Sequence, residues 1–100
     1  MNSGDWTWSE RKNDLNRQKH LLSFSTAVAV FTDPYHRSFP DPFPSEDRWQ
    51  TYGMVQGILI VVVHTEPMLQ CSELIAPGRI ISARKATKRE RRAYEENSHD

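Results

Sequence analysis

The residues best suited to chemistry lie near the end of the chain, in residues 79–92. This segment holds seven lysines or arginines and one acid, a charge of +6 in a chain of 100 residues whose formal net charge is zero. Such a concentration of positive charge usually faces a polyanion. Because the planar guanidinium group of arginine matches two phosphate oxygens at once, the segment predicts phosphate binding. Arg79, Arg84 and Lys85 are the candidates for contact with a reacting phosphate.

The position of these three residues on a strand limits how they can cooperate. Residues 79–85 read as a strand, and successive side chains of a strand point to opposite faces. Arg79 and Lys85 then share one face, and Arg84 lies on the other. A site that uses both arginines therefore requires a bulge, or the end of the strand, between them. We expect the two arginines to line opposite margins of one groove; solvated charges at a sheet edge are the alternative.

A proton carrier for the same chemistry is predicted at His20. Imidazole is the side-chain group best suited to proton transfer near neutral pH, and the neighbouring Lys19 adds positive potential. The alternative is that His20 ends a helix and compensates the helix dipole. Glu46 is a second candidate base, although an ion pair with Arg48 is the simpler interpretation. His64 ends a buried strand, and we expect it to be structural.

Composition places the chain among ordinary globular proteins, since 37% of its residues are hydrophobic and 26% are charged. One domain is expected over residues 1–100, with its core in residues 4–97. The lone Cys71 cannot form an internal disulfide, and the longest apolar run, residues 58–63, is far below the ~20 residues that span a bilayer. We therefore expect a cytoplasmic protein. The histidines and the cysteine show no paired ligand spacing, so no metal or other cofactor is expected.

Hydrophobic periodicity predicts the elements of the first half. Residues 4–8 read as a strand with two tryptophans on one side. A helix capped by Ser9 follows and runs to about His20. Apolar residues at i, i+3, i+4 and i+7 from Phe24 predict a second, short helix.

The second half is predicted to contain the sheet. The four prolines in residues 34–44 predict a long loop, because proline removes a backbone donor. Three strands follow, over residues 48–54, 58–65 and 79–85. The middle strand is apolar on both faces and should be central, with Gly53 or Gly57 in the turn before it. Residues 66–77 predict an irregular connection.

The last helix is predicted to begin with a capping box, since Thr87 and Glu90 can each satisfy a free backbone donor. The order of elements predicts an α+β protein with a small, mainly antiparallel sheet. The two early helices should cover one face of this sheet, and the C-terminal helix should cover part of the other.

Many of these residues form an ordered set. The set comprises Trp8, Lys12, Asn16, Lys19-His20, Ser23-Phe24, Ala27, Val30-Phe31, Glu46, Arg48, Gly53, Val62-Val63, Thr65, residues 79–86, Glu90 and Tyr94. In order and spacing it resembles the BrnT family of toxins from type II toxin–antitoxin pairs, over residues 8–96. The resemblance implies a RelE/ParE-like fold, ribonuclease activity that inhibits translation and growth, and neutralisation by a ribbon-helix-helix antitoxin similar to BrnA.

Under this resemblance the residue types acquire roles in metal-free RNA cleavage. The catalytic candidates are His20, Arg79, Arg84 and Lys85, and the RNA-binding candidates are Lys19, Arg48, Lys88, Arg89 and Arg92. A basic helix surface can also be merely solvated, or meet an acidic partner. Trp49 and Tyr52 could stack on bases, although packing is the simpler role for both.

Two alternatives to an active toxin stay open. Leu21 stands where the family has glycine, at a helix end that favours left-handed backbone. Together with the two long loops, this exchange favours a catalytically inactive homologue that binds the antitoxin. A general RNA-binding protein without a partner is the other alternative.

Overall fold

The computed structural model describes residues 2–98, and its main element is a six-stranded sheet. The strands are β1 (Asn2–Ser3), β2 (Trp6–Thr7), β3 (Arg37–Asp41), β4 (Arg48–Val55), β5 (Ile58–His64), β6 (Met68–Gln70), β7 (Glu73–Ala76) and β8 (Gly78–Lys85). The helices are α1 (Glu10–His20), α2 (Phe24–Ala27), which continues into a 3-10 helix (Val28–Thr32), and α3 (Lys88–Ser98). None of the helices in this described part is long and apolar enough to cross a membrane.

The sheet has the strand order β1-β2-β8-β5-β4-β3, and β6 and β7 form a separate hairpin. Within the six-stranded sheet only the pair β2–β8 is parallel. The predicted α+β class with a mainly antiparallel sheet is therefore confirmed.

β5 is the centre of the fold and is buried on both faces. Ile60 and Val62 pack against the early helices, in a core that also contains Phe24. Leu59 and Val61 point to the opposite face and are also buried. β5 lies between β8 and β4, and both of its faces are covered, as an apolar strand requires. The prediction of a central strand is therefore confirmed.

Two buried asparagines, rather than an apolar face, hold α1 against the sheet. Leu15, the only interior apolar residue of α1, is 52% exposed. The Asn16 side chain donates to the carbonyl oxygen of Ala83 at 2.9 Å and accepts from its N–H at 3.1 Å. Asn13 Oδ1 accepts from the N–H of Phe24 at 2.8 Å, a donor that the start of α2 leaves free. Helix α1 therefore bonds to the edge of β8 as a neighbouring strand would.

The ends of α1 agree with the sequence pattern. Ser9 Oγ accepts from the N–H of Lys12 at 3.4 Å. Leu21 ends the helix in the left-handed region, at φ 56° and ψ 34°, and its N–H donates to the carbonyl oxygen of Arg17. Leu21 thus adopts a conformation that favours glycine, while its side chain is 84% exposed and gains no burial.

The two glycines near the β4–β5 turn have different functions. Gly57 lies in the turn with Gln56, and both residues have positive φ (81° and 51°). Gly53 lies within β4, where a Cβ atom would come within 2.5 Å of Val30 Cγ2. Gly57 therefore supplies the turn, and Gly53 allows the 3-10 helix to pack closely on the sheet.

His64 has the structural role that the sequence indicates. Its Nδ1 lies 3.0 Å from the carbonyl oxygen of Thr65, which can only accept, so Nδ1 carries the proton. In the neutral ring Nε2 accepts from the hydroxyl of Thr51, which in turn accepts from Ser38. Burial lowers the pKa of His64. This chain of hydrogen bonds links β3, β4 and β5 around a neutral histidine.

The prediction of a loop across residues 34–44 is wrong for β3. This strand pairs with β4 along five residues, with Pro40 opposite Trp49. Because β3 is the edge strand of the sheet, a residue without an N–H is tolerated on its free side. A count of prolines cannot detect this arrangement.

Two further predictions are wrong, one for the connection over residues 66–77 and one for the length of the first strand. Residues 66–77 contain the β6–β7 hairpin, whose turn places Cys71 and Ser72 at φ 51° and 66°. Neither residue type is common at positive φ in a hairpin turn, so the local sequence contains no hairpin signal. At the N-terminus, Gly4 (φ 58°) turns the chain between β1 and β2, and the strand predicted over residues 4–8 is limited to two residues.

Candidate active site

A β-bulge in β8 brings Arg79 and Arg84 to the same face of the sheet. The pairing of β8 with β5 shifts by one residue beyond Val63, and Ile81 has no residue opposite it in β5. An extra residue reverses the alternation of the side chains that follow it. Two arginines five positions apart therefore share one face, which is the condition that a common site requires.

We call this surface the arginine face. It carries Arg48, Tyr52, Arg79 and Arg84, together with the carboxylates of Glu46 and Glu90. On β4, Tyr52 alternates with the buried residues Thr51 and Gly53, which point toward the early helices. The arginine face is therefore the side of the sheet that α1 and α2 leave uncovered.

Arg84 holds a carboxylate in a two-point contact. Its Nη1 and Nη2 donate to the two carboxylate oxygens of Glu90 at 2.8 and 3.0 Å, and the Tyr52 hydroxyl donates to the same carboxylate at 2.9 Å. The hydrogen bonds from Arg84 lower the pKa of Glu90 to about 2. Burial and the bond to Glu90 raise the pKa of Tyr52. At neutral pH the anionic carboxylate of Glu90 thus occupies both donors of the Arg84 guanidinium group, which could equally bind two phosphate oxygens.

Glu46 joins two more arginines in a second centre. Its Oε1 accepts from Arg48 Nε at 2.8 Å and from Arg79 Nη2 at 2.6 Å. The bond from Arg48 and the charge of Arg79 lower the pKa of Glu46. Arg48 also lies over the ring of Phe43, 3.6 Å from its centroid. The ion pair that the sequence favours for Glu46 and Arg48 is present, and it includes Arg79.

The two centres are separated along β8 by a distance that suits a polymer. Arg79 and Arg84 are five positions apart, and one of these positions is the bulge, so about four regular strand rises separate them. Four rises amount to about 13 Å, which exceeds the spacing of one nucleotide. The side chains of Arg79 and Arg84 are 43% and 39% exposed. A single strand of nucleic acid could therefore contact both arginines at once.

His20 lies toward the same end of β8 as Arg84. Thr7 is opposite Arg79, and Asn16 bonds to Ala83, so α1 follows β8 in the same direction. His20 comes one helical turn after Asn16 and on the same side of the helix. Among residues 2–98, however, no hydrogen bond joins His20 to the arginine face.

The remaining predicted residues surround the arginine face without joining it. Lys85 follows Arg84 in β8 and lines cavities at the end of the sheet. The exposed candidates for RNA contact are Lys19 on α1 and Lys88, Arg89 and Arg92 on α3. Their contact with RNA stays a prediction, as does catalysis by Lys85.

A sequence model of the family described as ribonuclease toxin, BrnT, of type II toxin-antitoxin system matches residues 8–90, which include both arginine centres. The chain belongs to the BrnT family. The resemblance seen in the ordered set of residues is thereby confirmed, and membership implies an antitoxin partner. No curated protein matches the sequence.

The role of Glu90 in this BrnT chain exceeds what the sequence predicts. The capping box is confirmed, since Thr87 N–H donates to Glu90 Oε1 at 2.8 Å and Glu90 N–H donates to Thr87 Oγ1 at 3.2 Å. The same carboxylate also binds Arg84 and Tyr52. Only the position of α3 relative to the sheet brings these groups together, and local sequence contains no signal for it.

A second contact that the sequence does not reveal fixes the far end of α3. Asp33 accepts from the N–H of Met54 at 2.7 Å, from the N–H of Tyr35 at 2.9 Å and from the hydroxyl of Tyr94. Burial raises the pKa of Asp33, but these hydrogen bonds lower it overall. Burial and the bond to Asp33 raise the pKa of Tyr94 to about 12. Helix α3 is therefore fastened to the sheet at both Glu90 and Tyr94.

Proposed function

We propose that this BrnT-family chain is an active endoribonuclease toxin. It cleaves RNA without a metal ion, inhibits translation and growth, and is neutralised by a ribbon-helix-helix antitoxin. The observation that supports this proposal is the presence of two arginine centres on one face of the sheet. Their arrangement fits a single-stranded polyanion better than an isolated phosphate.

The chemistry assigns a task to each group. Cleavage by the ribose 2′-hydroxyl needs activation of that hydroxyl, stabilisation of the phosphorane charge and protonation of the leaving 5′-oxygen. Arg84 stabilises the phosphorane, and Arg79 holds a neighbouring phosphate. His20 transfers protons, since histidine is the side chain that most often serves as a general acid and base. Arginine supplies the positive charge that a metal ion supplies in other nucleases.

The bond between Arg84 and Glu90 must open for this reaction. A phosphate carries the same pair of oxygens as the carboxylate, so it can replace Glu90 on the guanidinium group. The hydroxyl of Tyr52, which donates to Glu90, can then donate to the phosphate. The reaction therefore begins with an exchange of one oxyanion for another.

The second candidate function is an inactive homologue that only binds the antitoxin. Its support is that both arginine centres already hold a carboxylate, Glu90 on one and Glu46 on the other. If these ion pairs never open, no phosphate reaches the arginines.

Replacement of Arg84 distinguishes the two functions. We expect Arg84→Ala to abolish growth arrest and RNA cleavage in EDTA, with a small change in melting temperature. Arg84→Lys keeps the charge but loses the fork, so it should retain only a small part of the activity. Arg11→Ala, on the exposed side of α1, is the matched control. A folded wild-type protein that leaves RNA intact in EDTA would contradict the proposal and support the inactive homologue.

A further inference from the structure

Two adjoining cavities open at the end of the sheet, around the β4–β5 turn. One, of about 760 Å³, lies between this turn and the end of α1, and the other, of about 580 Å³, lies between the turn and α3. Ile58 and Lys85 line both cavities, so the two form one continuous surface. We call this surface the basic band, with apolar members Leu21, Met54 and Ile58 and cations Lys85, Lys88 and Arg92.

The floor of the basic band is apolar and open to solvent. Leu21 is 84% exposed, Ile58 46% and Met54 39%. A single exposed apolar side chain is ordinary on a protein surface, but a connected set of them marks a contact site. The band therefore has the character of a protein interface.

The sides of the basic band are strongly cationic. Arg17 and Arg91 line the cavities along with the three cations already named, and Glu95 is the acid in the lining. Five cations against one carboxylate give a local excess of positive charge in a chain that is neutral as a whole. A segment that covers the apolar floor must place negative charges at its edges.

We propose that the basic band is the docking surface for an amphipathic segment of the antitoxin, with an apolar stripe between acidic residues. The proposal rests on the proposed function for the existence of this partner, and it adds where and how the partner binds. The segment inserts its apolar side chains around Ile58, and its carboxylates pair with Lys85, Lys88 and Arg92. Complementarity of both apolar surface and charge selects this occupant.

A nucleic acid fits the basic band less well. Bases stack on aromatic rings or guanidinium planes, whereas the floor of the band is made of leucine, methionine and isoleucine. The aromatic member of the lining, Tyr94, uses its hydroxyl to bind Asp33. RNA and antitoxin are therefore assigned to different surfaces of the chain, and this proposal moves Lys85, Lys88 and Arg92 from RNA contact to antitoxin contact.

Leu21 offers a second observation in favour of docking. It holds an unfavourable left-handed conformation and leaves its side chain in solvent. The bond from its N–H to Arg17 would form equally well with glycine at this position, so the leucine side chain itself gains nothing in the isolated chain, whereas burial under a partner would stabilise it. We therefore expect Leu21→Gly to stabilise the isolated chain and to weaken its binding to the antitoxin, an opposition that a purely structural leucine would not produce.

The main test measures binding of the protein encoded by the reading frame next to this gene. We expect Ile58→Asp to weaken this binding at least tenfold, and the double variant Lys88→Glu, Arg92→Glu to do the same. Ile75→Asp is the matched apolar control, because Ile75 is 53% exposed on the separate β6–β7 hairpin. Arg11→Glu, Lys12→Glu is the matched charge control on α1. Both controls should bind within twofold of the wild type.

RNA cleavage by the same variants separates this proposal from the proposed function. Ile58→Asp should cleave RNA normally, whereas Arg84→Ala should bind the neighbouring protein normally and fail to cleave. Undiminished binding by Ile58→Asp overturns the docking proposal and leaves the ribonuclease proposal standing. Loss of RNA binding with intact protein binding in the charge-reversed variant shows that the band is an RNA surface. A neighbouring protein that does not bind the wild-type chain overturns the partner assignment itself.

Discussion

The guanidinium group of Arg84 and the carboxylate of Glu90 form a two-point ion pair at 2.8 and 3.0 Å. These residues are six positions apart, and each belongs to a different element, β8 or α3. The pair links the catalytic candidate to the helix that partly covers its side of the sheet. Access of a substrate to Arg84 and stability of α3 are therefore connected.

Glu90→Gln should increase RNA binding and decrease stability. Glutamine, which is neutral, competes less with phosphate for the guanidinium group of Arg84. If the ion pair costs phosphate binding about 1 kcal/mol, its removal makes RNA binding about fivefold tighter. The same loss should lower the free energy of unfolding by about 1 kcal/mol. Anisotropy with a labelled RNA and denaturant unfolding measure the two effects. Glu96→Gln, farther along α3, is the control, and equal RNA affinity in both variants would contradict the competition.

Acid should remove the stabilisation that Glu90 provides. The pKa of Glu90 is about 2 in the folded chain and 4.5 without its partners. A carboxylate with a lowered pKa stabilises the fold above its ordinary pKa, and this contribution is lost as the pH falls from 4.5 to 2. Between pH 4.5 and pH 2, the free energy of unfolding should therefore depend less on pH in Glu90→Gln than in the wild type. Denaturant unfolding at several pH values measures this dependence.

His64 should make the fold sensitive to pH near neutrality. Burial lowers its pKa from 6.5, so the unfolded chain binds the proton more readily than the folded chain. Stability should be complete above pH 6.5 and decrease as the pH falls below it. His64→Gln should reduce this dependence in denaturant unfolding between pH 7.5 and 5.5. An equal dependence in His64→Gln and in the wild type would contradict this assignment.

Asn16→Ala should be one of the most destabilising substitutions in the chain. It leaves both backbone groups of Ala83 without their side-chain partner, at a cost of about 3 kcal/mol. Leu15→Ala, one position earlier but exposed, should change the free energy of unfolding by less than about 0.5 kcal/mol. Similar values for the two variants would show that α1 is held by something other than its asparagines.

Leu21→Gly should stabilise the isolated chain. Removal of the side chain relieves roughly 1 kcal/mol of left-handed strain, and the greater freedom of glycine in the unfolded chain offsets part of this gain. We expect a net increase of roughly 0.5 kcal/mol in the free energy of unfolding. Leu21→Ala keeps the Cβ atom and should show no such increase.

The sequence predicts the parts of this fold that depend on local pattern. The apolar strand β5, the cap at Ser9 and the capping box at Thr87 all follow from the types of neighbouring residues, and all are present. The alternation of side chains along a strand also predicts that Arg79 and Arg84 share a face only if a bulge or the strand end lies between them. Whether the bulge forms depends on how β8 pairs with β5, which residues far apart in the chain decide.

Contacts between distant elements account for what the sequence did not predict. Pro40 suggests a loop in the sequence. A strand accepts proline at the edge of a sheet, and the edge position of β3 is set by its pairing with β4. The bonds from Asn16 to Ala83 and from Tyr94 to Asp33 join groups 67 and 61 positions apart. The sequence predicts only the capping role of Glu90. Its contacts with Tyr52 and Arg84 require α3 to fold back over β4 and β8.

The carboxylates of Glu46 and Glu90 also affect how the chain would behave in a cell. They keep the guanidinium groups oriented before any substrate arrives, so little reorganisation accompanies binding. Each is also a tethered competitor, present at high effective concentration in every molecule. Under the proposed function, the two carboxylates would therefore weaken the binding of RNA to the arginines without changing how the guanidinium groups are placed.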